Sequence, residues 1–343
     1  MAMLTILAWI VVFGVLVAAH ELGHYLVAKS FSMRVDEYSL GFGPSLFSHA
    51  FGETLYSVRI IPLGGYVRLR GMDGQKSEDP REYPNRPLWQ RFLVIFAGPV
   101  MNLVLALVLF VIALGPVGTP TATTTIQHLI AHYPAQAAGL KPGDRIVAID
   151  GHAIRHGSAI STLVAQHAHQ VIRIAVMRGH QRLQFFIHPR YDKSLKQYLV
   201  GIEMGLRVVH LGVVNSLKGG VTQTVGLTGA WFKALYALVT GQHRFDLMGP
   251  VGIAVTVGRA ARAGWYWLVT LGAVLSVNLA LFNILPVPVL DGSKLFLLGV
   301  EGVRRRAMNP EREGMIHMVG MAFLLLFVIF VTYHDIVHYL HLG

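Results

Sequence analysis

The sequence contains no cysteine, and only 14% of its 343 residues are charged. The absence of cysteine excludes disulfide bonds, a cysteine nucleophile and every cysteine metal ligand. A soluble globular protein carries about 25% charged residues, so the low charge does not fit that class. Hydrophobic residues make up 53% of the chain. These proportions predict a protein that is largely embedded in a membrane.

The charges that are present are mostly positive and give a formal net charge of +11. A nucleic-acid-binding protein would combine such a charge with a basic and aromatic binding module, which the sequence does not contain. Basic loops on the cytoplasmic side of a membrane protein explain the excess better. We therefore expect the lipid bilayer, and no nucleic acid, as a partner.

Four stretches are apolar and long enough to cross a bilayer, which takes about 20 residues. They cover residues 3–28, 92–117, 265–290 and 315–333. Lys and Arg concentrate in the loops after the first and third stretches, and loops of that kind remain in the cytoplasm. We therefore expect a multi-pass protein with both termini outside the cytoplasm.

Between the second and third stretches, residues 121–205 have the pattern of a small soluble domain. Alternating runs typical of strands occur at residues 123–129, 145–149, 171–177 and 181–187. The run from Pro134 to Ile146, followed by Asp150-Gly151, resembles the signature of bacterial PDZ domains. PDZ domains bind extended peptides or C-termini by adding a strand to a sheet edge. We expect an inserted extracytoplasmic PDZ-like domain with a peptide or C-terminus as its partner.

The remaining chain is then divided by its hydropathy. Residues 1–120 form an N-terminal membrane part, residues 206–264 a linker, and residues 265–343 a C-terminal membrane part. Within the linker, apolar residues of 216–241 recur at helical spacing, beside polar residues that argue against full insertion. This pattern predicts an interfacial helix, and an ordinary packing helix is nearly as plausible.

The first apolar stretch contains an H-E-x-x-H pentad formed by His20, Glu21 and His24. A helix places residues four apart on one face, so both imidazoles can bind one metal ion while Glu21 acts as a general base. Ionisable residues at the centre of a bilayer cost roughly 2.5–3.5 kcal/mol or more each. Zinc coordination, worth about 10–16 kcal/mol in peptides, can offset that cost. A chance occurrence of the pentad is the alternative, because only three positions are fixed.

A catalytic zinc site commonly has three protein ligands and one open position. Pro286 and Pro288 lie near the end of the third apolar stretch, and Asp291, directly after it, is the only acidic residue in or at the end of that stretch. Broken backbone at membrane depth is tolerated where it lines a cavity, so Asp291 is a candidate third ligand. The alternative is that Asp291 merely begins the cytoplasmic loop.

Together these motifs resemble the site-2 protease family of intramembrane zinc metalloproteases, and most closely its bacterial regulator-of-sigma-E branch. The resemblance rests on an ordered set of motifs: His20-Glu21-Leu22-Gly23-His24, Gly98-Pro99-x-x-Asn102, the PDZ-like insertion, and Asn283-x-x-Pro286-x-Pro288-x-x-Asp291-Gly292. It implies Zn²⁺ held by His20, His24 and Asp291, with Glu21 as the catalytic base. Two departures are Ser293-Lys294 in place of a common Gly-His pair, and one PDZ-like domain where relatives often have two.

The apolar stretches, the PDZ-like pattern and the alternation within residues 52–71 predict a fold class, and the resemblance implies a reaction. The fold is a polytopic α-helical membrane protein with four transmembrane helices, one PDZ-like α+β domain and a membrane-associated β-hairpin, whose strands we expect at residues 55–61 and 65–69. The reaction is hydrolysis of peptide bonds in transmembrane segments of single-pass proteins of the bacterial inner membrane, such as an anti-sigma factor or a remnant signal peptide. The residues expected to bind substrate are Asn283, Asn278, Asn102, Pro286, Pro288 and Tyr66.

Two other functions are weighed against this one. A catalytically silent membrane receptor would use the PDZ-like domain to tether peptides, and it would have no need of all three ligands and Glu21. A transporter would need internal repeats or a second broken span matched to the first, and the sequence has neither.

Overall fold

The computed structural model describes residues 2–72, 78–167, 169–193, 195, 197–242, 249–306 and 310–340. The chain divides into two compact units. The first, here called the helical unit, comprises Met1–Val117 and Gly212–Gly343. The second, the sheet unit, comprises Gly118–Leu211 and contains the whole segment predicted as an inserted domain.

The described helices are α1 (Ala2–Ser30), α2 (Leu88–Ile112), α3 (Pro134–Ala137), α4 (Ser158–Gln166), α5 (Val213–Val239), α6 (Pro250–Ala263), α7 (Trp265–Ile284), α8 (Asp291–Arg304) and α9 (Pro310–Leu340). The strands are β1 (Val35–Phe51), β2 (Thr54–Leu69), β3 (Thr119–Leu129), β4 (Arg145–Ile149), β5 (His152–Ala153), β6 (Ile172–Arg178), β7 (Gln181–Ile187), β8 (Arg190–Asp192), β9 (Gln197–Leu199) and β10 (Ile202–Val209). A π-helical turn, Ala113–Val117, extends α2.

Four helical segments of the described chain are long and apolar enough to cross a membrane, as predicted. They are Met3–Ser30, Leu88–Val117, Trp265–Ile284 and Gly314–Val337. The third is shorter than the apolar stretch in the sequence, because Pro286 and Pro288 cannot continue a helix. The residues after Ile284 therefore form a loop that leads into α8.

In the helical unit, α2 contacts α1, α5, α7 and α8. Gly23 lets α1 approach α2 closely, since a Cβ there would lie only 2.3 Å from the Ala97 carbonyl oxygen. The hydroxyl of Ser276 on α7 donates to the Asn102 carbonyl oxygen on α2 at 2.7 Å. Small residues and buried hydroxyls are what hold helices together in lipid, where apolar burial gives little driving force.

The helix predicted for residues 216–241 is α5, and it packs along α2 and α7. Gly220 lies against Leu107 and Val111 of α2. Further along α5, the Trp231 ring meets the Phe282 ring of α7, with centroids 5.6 Å apart. The interfacial location of this helix stays a prediction.

The β-hairpin exists, but its strands differ from the predicted ones. Residues 37–40 of β1 pair with residues 55–58 on one side and with residues 65–68 on the other. The two segments expected to pair with each other are therefore separated by β1, and both belong to β2. The turn lies at Gly52-Glu53, where Gly52 has a φ of 61°, and not at residues 62–64, between the two predicted strands. The prediction was wrong because strand partners are set by long-range pairing, which local alternation does not reveal.

Glu37 connects the segments of this sheet. Its buried carboxylate accepts hydrogen bonds from the Arg59 guanidinium at 2.6 Å and the Ser57 hydroxyl at 2.8 Å. Burial would raise the pKa of Glu37, but these donors outweigh it and hold the pKa below its usual value. The sheet is fixed to α1 by the Tyr38 hydroxyl, which donates to the Ala18 carbonyl oxygen at 3.0 Å.

The sheet unit is built on strands in the order β10-β3-β4-β6-β7, with β5 paired to β4. The four predicted strand segments are confirmed as β3, β4, β6 and β7, within a few residues at their ends. Their inward-facing side chains form an aliphatic core that includes Ile126, Ile146, Ile174 and Val176, each at most 1% exposed. At the start of β4, the buried Asp144 carboxylate is paired with the Arg178 guanidinium at 2.7 Å.

Candidate metal centre

Three ionisable side chains are buried on one face of α1. His20, Glu21 and His24 are 8%, 9% and 7% exposed, respectively. The run around them contains no proline and begins with a long apolar segment, so a continuous helix is the expected local structure. Because four residues make slightly more than one helical turn, the two imidazoles lie side by side, with ring centroids 4.8 Å apart.

Asp291 meets the two histidines although it lies about 270 positions further along the chain. Its Oδ2 atom is 2.9 Å from His20 Nε2 and 3.3 Å from His24 Nε2. The two Nε2 atoms are themselves 3.3 Å apart. Ligand atoms about 2.0–2.1 Å from a tetrahedral zinc ion would be roughly 3.3 Å from one another. The three ligand atoms therefore have the spacing that a zinc ion requires.

Two further features fit a metal ion at this position. Asp291 Oδ2 is buried without a hydrogen bond among the described residues, although it faces both imidazoles. At Gly98 of α2, an added Cβ would lie 2.4 Å from His24 Nε2 and 2.8 Å from His20 Cε1. The glycine therefore leaves free the space next to both imidazoles that any other side chain would fill.

The loop that presents Asp291 is a strained turn. The Leu290 N–H donates to the Val287 carbonyl oxygen at 3.1 Å, and Val289 between them has a φ of 81°. Pro288 followed by a positive φ is the pattern of a type II turn, in which glycine is the usual residue at the strained position. A β-branched residue there costs about 1–3 kcal/mol, which the surrounding packing must offset. The turn ends at Leu290, so that Asp291 becomes the first residue of α8.

The second nitrogen of each histidine also has a partner. His24 Nδ1 donates to the Val94 carbonyl oxygen of α2 at 2.8 Å. His20 Nδ1 lies 3.1 Å from the side-chain amide of Asn102, which is fully buried. Such contacts orient ligating imidazoles and fix which nitrogen carries the proton.

A cavity of about 450 Å³ opens beside these residues. Of the residues predicted to act on substrate or metal, it is lined by His20, Glu21, His24, Tyr66, Asn283 and Asp291. The other four do not line it: Asn102 contacts His20, Asn278 is half-buried on α7, Pro286 is exposed, and Pro288 packs against Gly320 of α9. The structure thus brings together the predicted metal ligands, the predicted base and two of the six predicted substrate-binding residues.

Several residues were not predicted to line this cavity, among them Gly65 and also Lys294, which the sequence marked only as a departure from the family. Gly65 of β2 lies so close to α1 that a Cβ would be 3.0 Å from Glu21 Cγ. Lys294, one turn after Asp291 on α8, also lines the cavity. The i, i+3 spacing of Asp291 and Lys294 could have indicated a shared face. The Gly65 contact has no local signal, since it depends on how the sheet docks on α1.

Comparison with known proteins identifies relatives over nearly the whole chain. The model of Peptidase family M50 matches residues 8–340. The zinc metalloprotease RasP of Geobacillus kaustophilus is 31% identical, over 97% of this chain and 97% of its own. The regulator of sigma-W protease RasP of Bacillus subtilis is 30% identical, over 97% of this chain and 98% of its own.

A solved structure is similar to a smaller part of the chain. The PDZ domain of the SdrC-like protein from Listeria monocytogenes is 22% identical over 24% of this chain and 85% of its own, with a TM-score of 0.21. At that TM-score the similarity does not establish a shared fold.

Proposed function

The chain belongs to peptidase family M50, and from that premise we propose that it cleaves transmembrane segments of single-pass proteins at the site formed by His20, His24, Asp291 and Glu21. Zinc-dependent proteolysis at a membrane is the activity of this family. The observation that carries the assignment of the site is the convergence of His20 Nε2, His24 Nε2 and Asp291 Oδ2 within 4.8 Å of one another.

His20, His24 and Asp291 are the residues that would hold zinc. A bound zinc ion supplies a Lewis acid and makes water at its open position more acidic. Two histidines and one carboxylate form a ligand set that suits zinc and leaves one position open. The absence of cysteine from the sequence means that no thiolate competes for that role.

Glu21 is the group that moves the proton. It follows His20 directly on α1 and lines the same cavity as the three ligands. In the proposed reaction its carboxylate takes a proton from the attacking water and returns it to the leaving amine. Its contact with Gly65 keeps the carboxyl stem against β2, so that its orientation is restricted.

Lys294 supplies a positive charge to the same cavity. It belongs to no ion pair among the described residues. Negative charge develops on the scissile carbonyl oxygen as water adds, and a fixed cation nearby stabilises it. Many relatives have a Gly-His pair where this chain has Ser293-Lys294. In this role Lys294 would have a function different from that of the histidine it replaces.

The segment of β2 beside the cavity is suited to hold an unwound substrate. A helical substrate hides its carbonyl groups in i→i−4 hydrogen bonds, so it must unwind before cleavage. Residues 65–69 of β2 pair with β1 on one side only, within the described chain, and four of them line the cavity. We propose that the substrate adds a strand at this edge while Asn283 binds its freed backbone groups.

We infer the location of the protein and the class of its substrate from its relatives. Bacterial relatives and four candidate spans support an inner-membrane protein. We propose that it crosses the membrane four times, with both termini and the sheet unit outside the cytoplasm. Because one relative is named as a regulator of sigma-W protease, a single-pass anti-sigma factor is the proposed substrate. The sheet unit, as a PDZ-like domain, would engage a peptide or a newly formed C-terminus of that substrate.

The experiment is cleavage of a tagged single-pass substrate with a shortened ectodomain in liposomes that contain the purified protein. We expect cleavage within the transmembrane segment, and a rate about 10²–10⁴-fold lower for Glu21→Gln, which cannot accept the proton. Equal cleavage by both proteins would exclude Glu21 as the base. Absence of cleavage by zinc-loaded wild type across several substrates would favour the silent receptor.

A further inference from the structure

Asn102 is the residue whose observed environment departs most from its predicted role. We expected it to bind substrate, but its side chain is fully buried and does not line the cavity. Its backbone carbonyl accepts a hydrogen bond from the Ser276 hydroxyl at 2.7 Å, and Ser276 is also fully buried. Asn102 is thus fixed between α2 and α7, with its amide directed at His20.

The tautomer of His24 gives the pattern to which His20 can be compared. A carbonyl oxygen can only accept, so the 2.8 Å contact with Val94 places the proton of His24 on Nδ1. Its Nε2 then has a lone pair directed at the point where Asp291 Oδ2 and His20 Nε2 converge. An imidazole binds a metal ion through a nitrogen in that state.

His20 needs the same tautomer to be a ligand. The atom of the Asn102 side-chain amide that faces His20 Nδ1 determines which nitrogen of the ring carries the proton. With Asn102 Nδ2 placed 3.1 Å from His20 Nδ1, the amide would donate, and the His20 proton would be on Nε2, where it blocks metal binding. Rotation of the amide by 180° exchanges its nitrogen and oxygen with no other change. Asn102 Oδ1, which is buried without a partner among the described residues, then accepts from His20 Nδ1–H.

The number of unpaired atoms is the same in the two orientations of the Asn102 amide, because each leaves one atom of the amide without a partner. Hydrogen bonding alone therefore does not favour either orientation. Metal binding at the three converging ligand atoms does choose, since it requires a lone pair on His20 Nε2. We infer that Asn102 is a positioning residue: its Oδ1 accepts from His20 Nδ1–H and so holds the His20 ring in the tautomer and orientation that bind zinc. This inference rests on the proposed metal site.

Two substitutions of Asn102 test whether its amide accepts a hydrogen bond from His20 or donates one to it. Aspartate has the shape of asparagine but can only accept, whereas leucine has a similar shape and can do neither. We expect Asn102→Asp to keep zinc affinity within about threefold of wild type, and Asn102→Leu to lose about 10–100-fold. The measurement is competition for zinc with a chromophoric chelator, on the full-length protein in detergent, followed without any substrate.

Ser276→Ala is the matched control, because it removes a buried hydrogen bond to Asn102 but leaves its side-chain amide in place. We expect its zinc affinity to equal that of wild type. Equal losses in the Asp and Leu variants would show that an accepting oxygen at position 102 does not support zinc binding, and unchanged affinity in the Leu variant would show that the amide does not position His20. Either result overturns the inference and leaves the proposed function standing. If His24→Ala bound zinc as tightly as wild type, the proposed site itself would fail.

Discussion

The sheet unit has an aliphatic core that includes Ile126, Ile146 and Ile174, whereas the helical unit buries polar side chains such as His20 and Asn102 among its apolar ones. The exposed surfaces of the two units differ as well. On α1, α2 and α9, many large apolar side chains are exposed, among them Ile6, Phe323 and Phe330. The sheet unit follows the pattern of a protein in water, and the helical unit follows the pattern of a protein in lipid.

This difference shows which interactions hold each unit together. Burial of apolar surface stabilises the sheet unit, at about 25 cal/mol per Å². Lipid is as apolar as a leucine side chain, so the same burial gives the helical unit little. Close backbone approaches, such as the one at Gly23, and buried hydrogen bonds, such as the one from Ser276, are left to fix its helices. The buried polar groups of the helical unit therefore contribute to its stability, apart from the chemistry proposed for some of them.

The largest expected effect comes from filling the space next to the histidines. A Cβ at position 98 would lie 2.4 Å from His24 Nε2, so Gly98→Ala must displace an imidazole. We expect zinc affinity to fall by more than about 100-fold, beyond the loss typical of groups that only orient a ligand. Zinc content after purification measures it. Gly14→Ala, on α1 with open space around it, is the control and should bind zinc normally.

The second effect concerns the core of the sheet unit. Ile174 is 0% exposed in that core, and Ile174→Ala should lower the free energy of unfolding of the sheet unit by about 2–5 kcal/mol. Thermal unfolding of the full-length protein measures the loss, and zinc content should not change. The exposed residue Val171 is the control, since Val171→Ala removes little buried surface. Loss of zinc in Ile174→Ala would show that the two units are not stabilised separately.

A third prediction concerns a buried carboxylate that is not part of the metal site. Asp335 of α9 accepts hydrogen bonds from the backbone N–H groups of Gly249 and Gly252 at the start of α6, at 3.2 and 2.8 Å. Asp335→Leu leaves these donors unpaired, which costs about 1–3 kcal/mol. We expect an added protease to cleave the variant faster than wild type at α6 and α9, the two helices that Asp335 connects, when both proteins are in detergent. Tyr333→Leu, at an exposed position of the same helix, should behave as wild type.

The smallest effect is a dependence on pH in the sheet unit. Burial would raise the pKa of Asp144, but the Arg178 guanidinium and the Lys141 N–H hold it below its usual value. Because this pKa is lower in the folded state, the stabilisation is complete above about pH 4 and is lost as the pH falls through the folded pKa. Arg178 is partly exposed, so we expect about 1 kcal/mol between wild type and Asp144→Asn at pH 7. Unfolding at pH 7 and pH 3 tests this, and a difference that grows at pH 3 would contradict it.

The same comparison explains what could be predicted from the sequence. Helical periodicity places His20 and His24 on one face, and the length of the apolar stretches indicates the four candidate spans. These features could be predicted because they depend only on residues close together in the chain. Alternation of residues likewise predicted β4 and β7 at their observed bounds. The contact of Asn102 with His20 and the pairing of β1 with two segments of β2 depend on residues far apart in the chain. Local patterns carry no information about such contacts.

The proposed zinc site takes two ligands from α1 and one from the start of α8, far apart in the chain but within the helical unit. Zinc content and X-ray absorption at the zinc edge, measured on wild type and Asp291→Ala in the same detergent, test it most directly. We expect one zinc ion per wild-type chain, bound only through nitrogen and oxygen, and none in the folded variant. A folded Asp291→Ala protein that keeps its zinc with the same ligand set would contradict it.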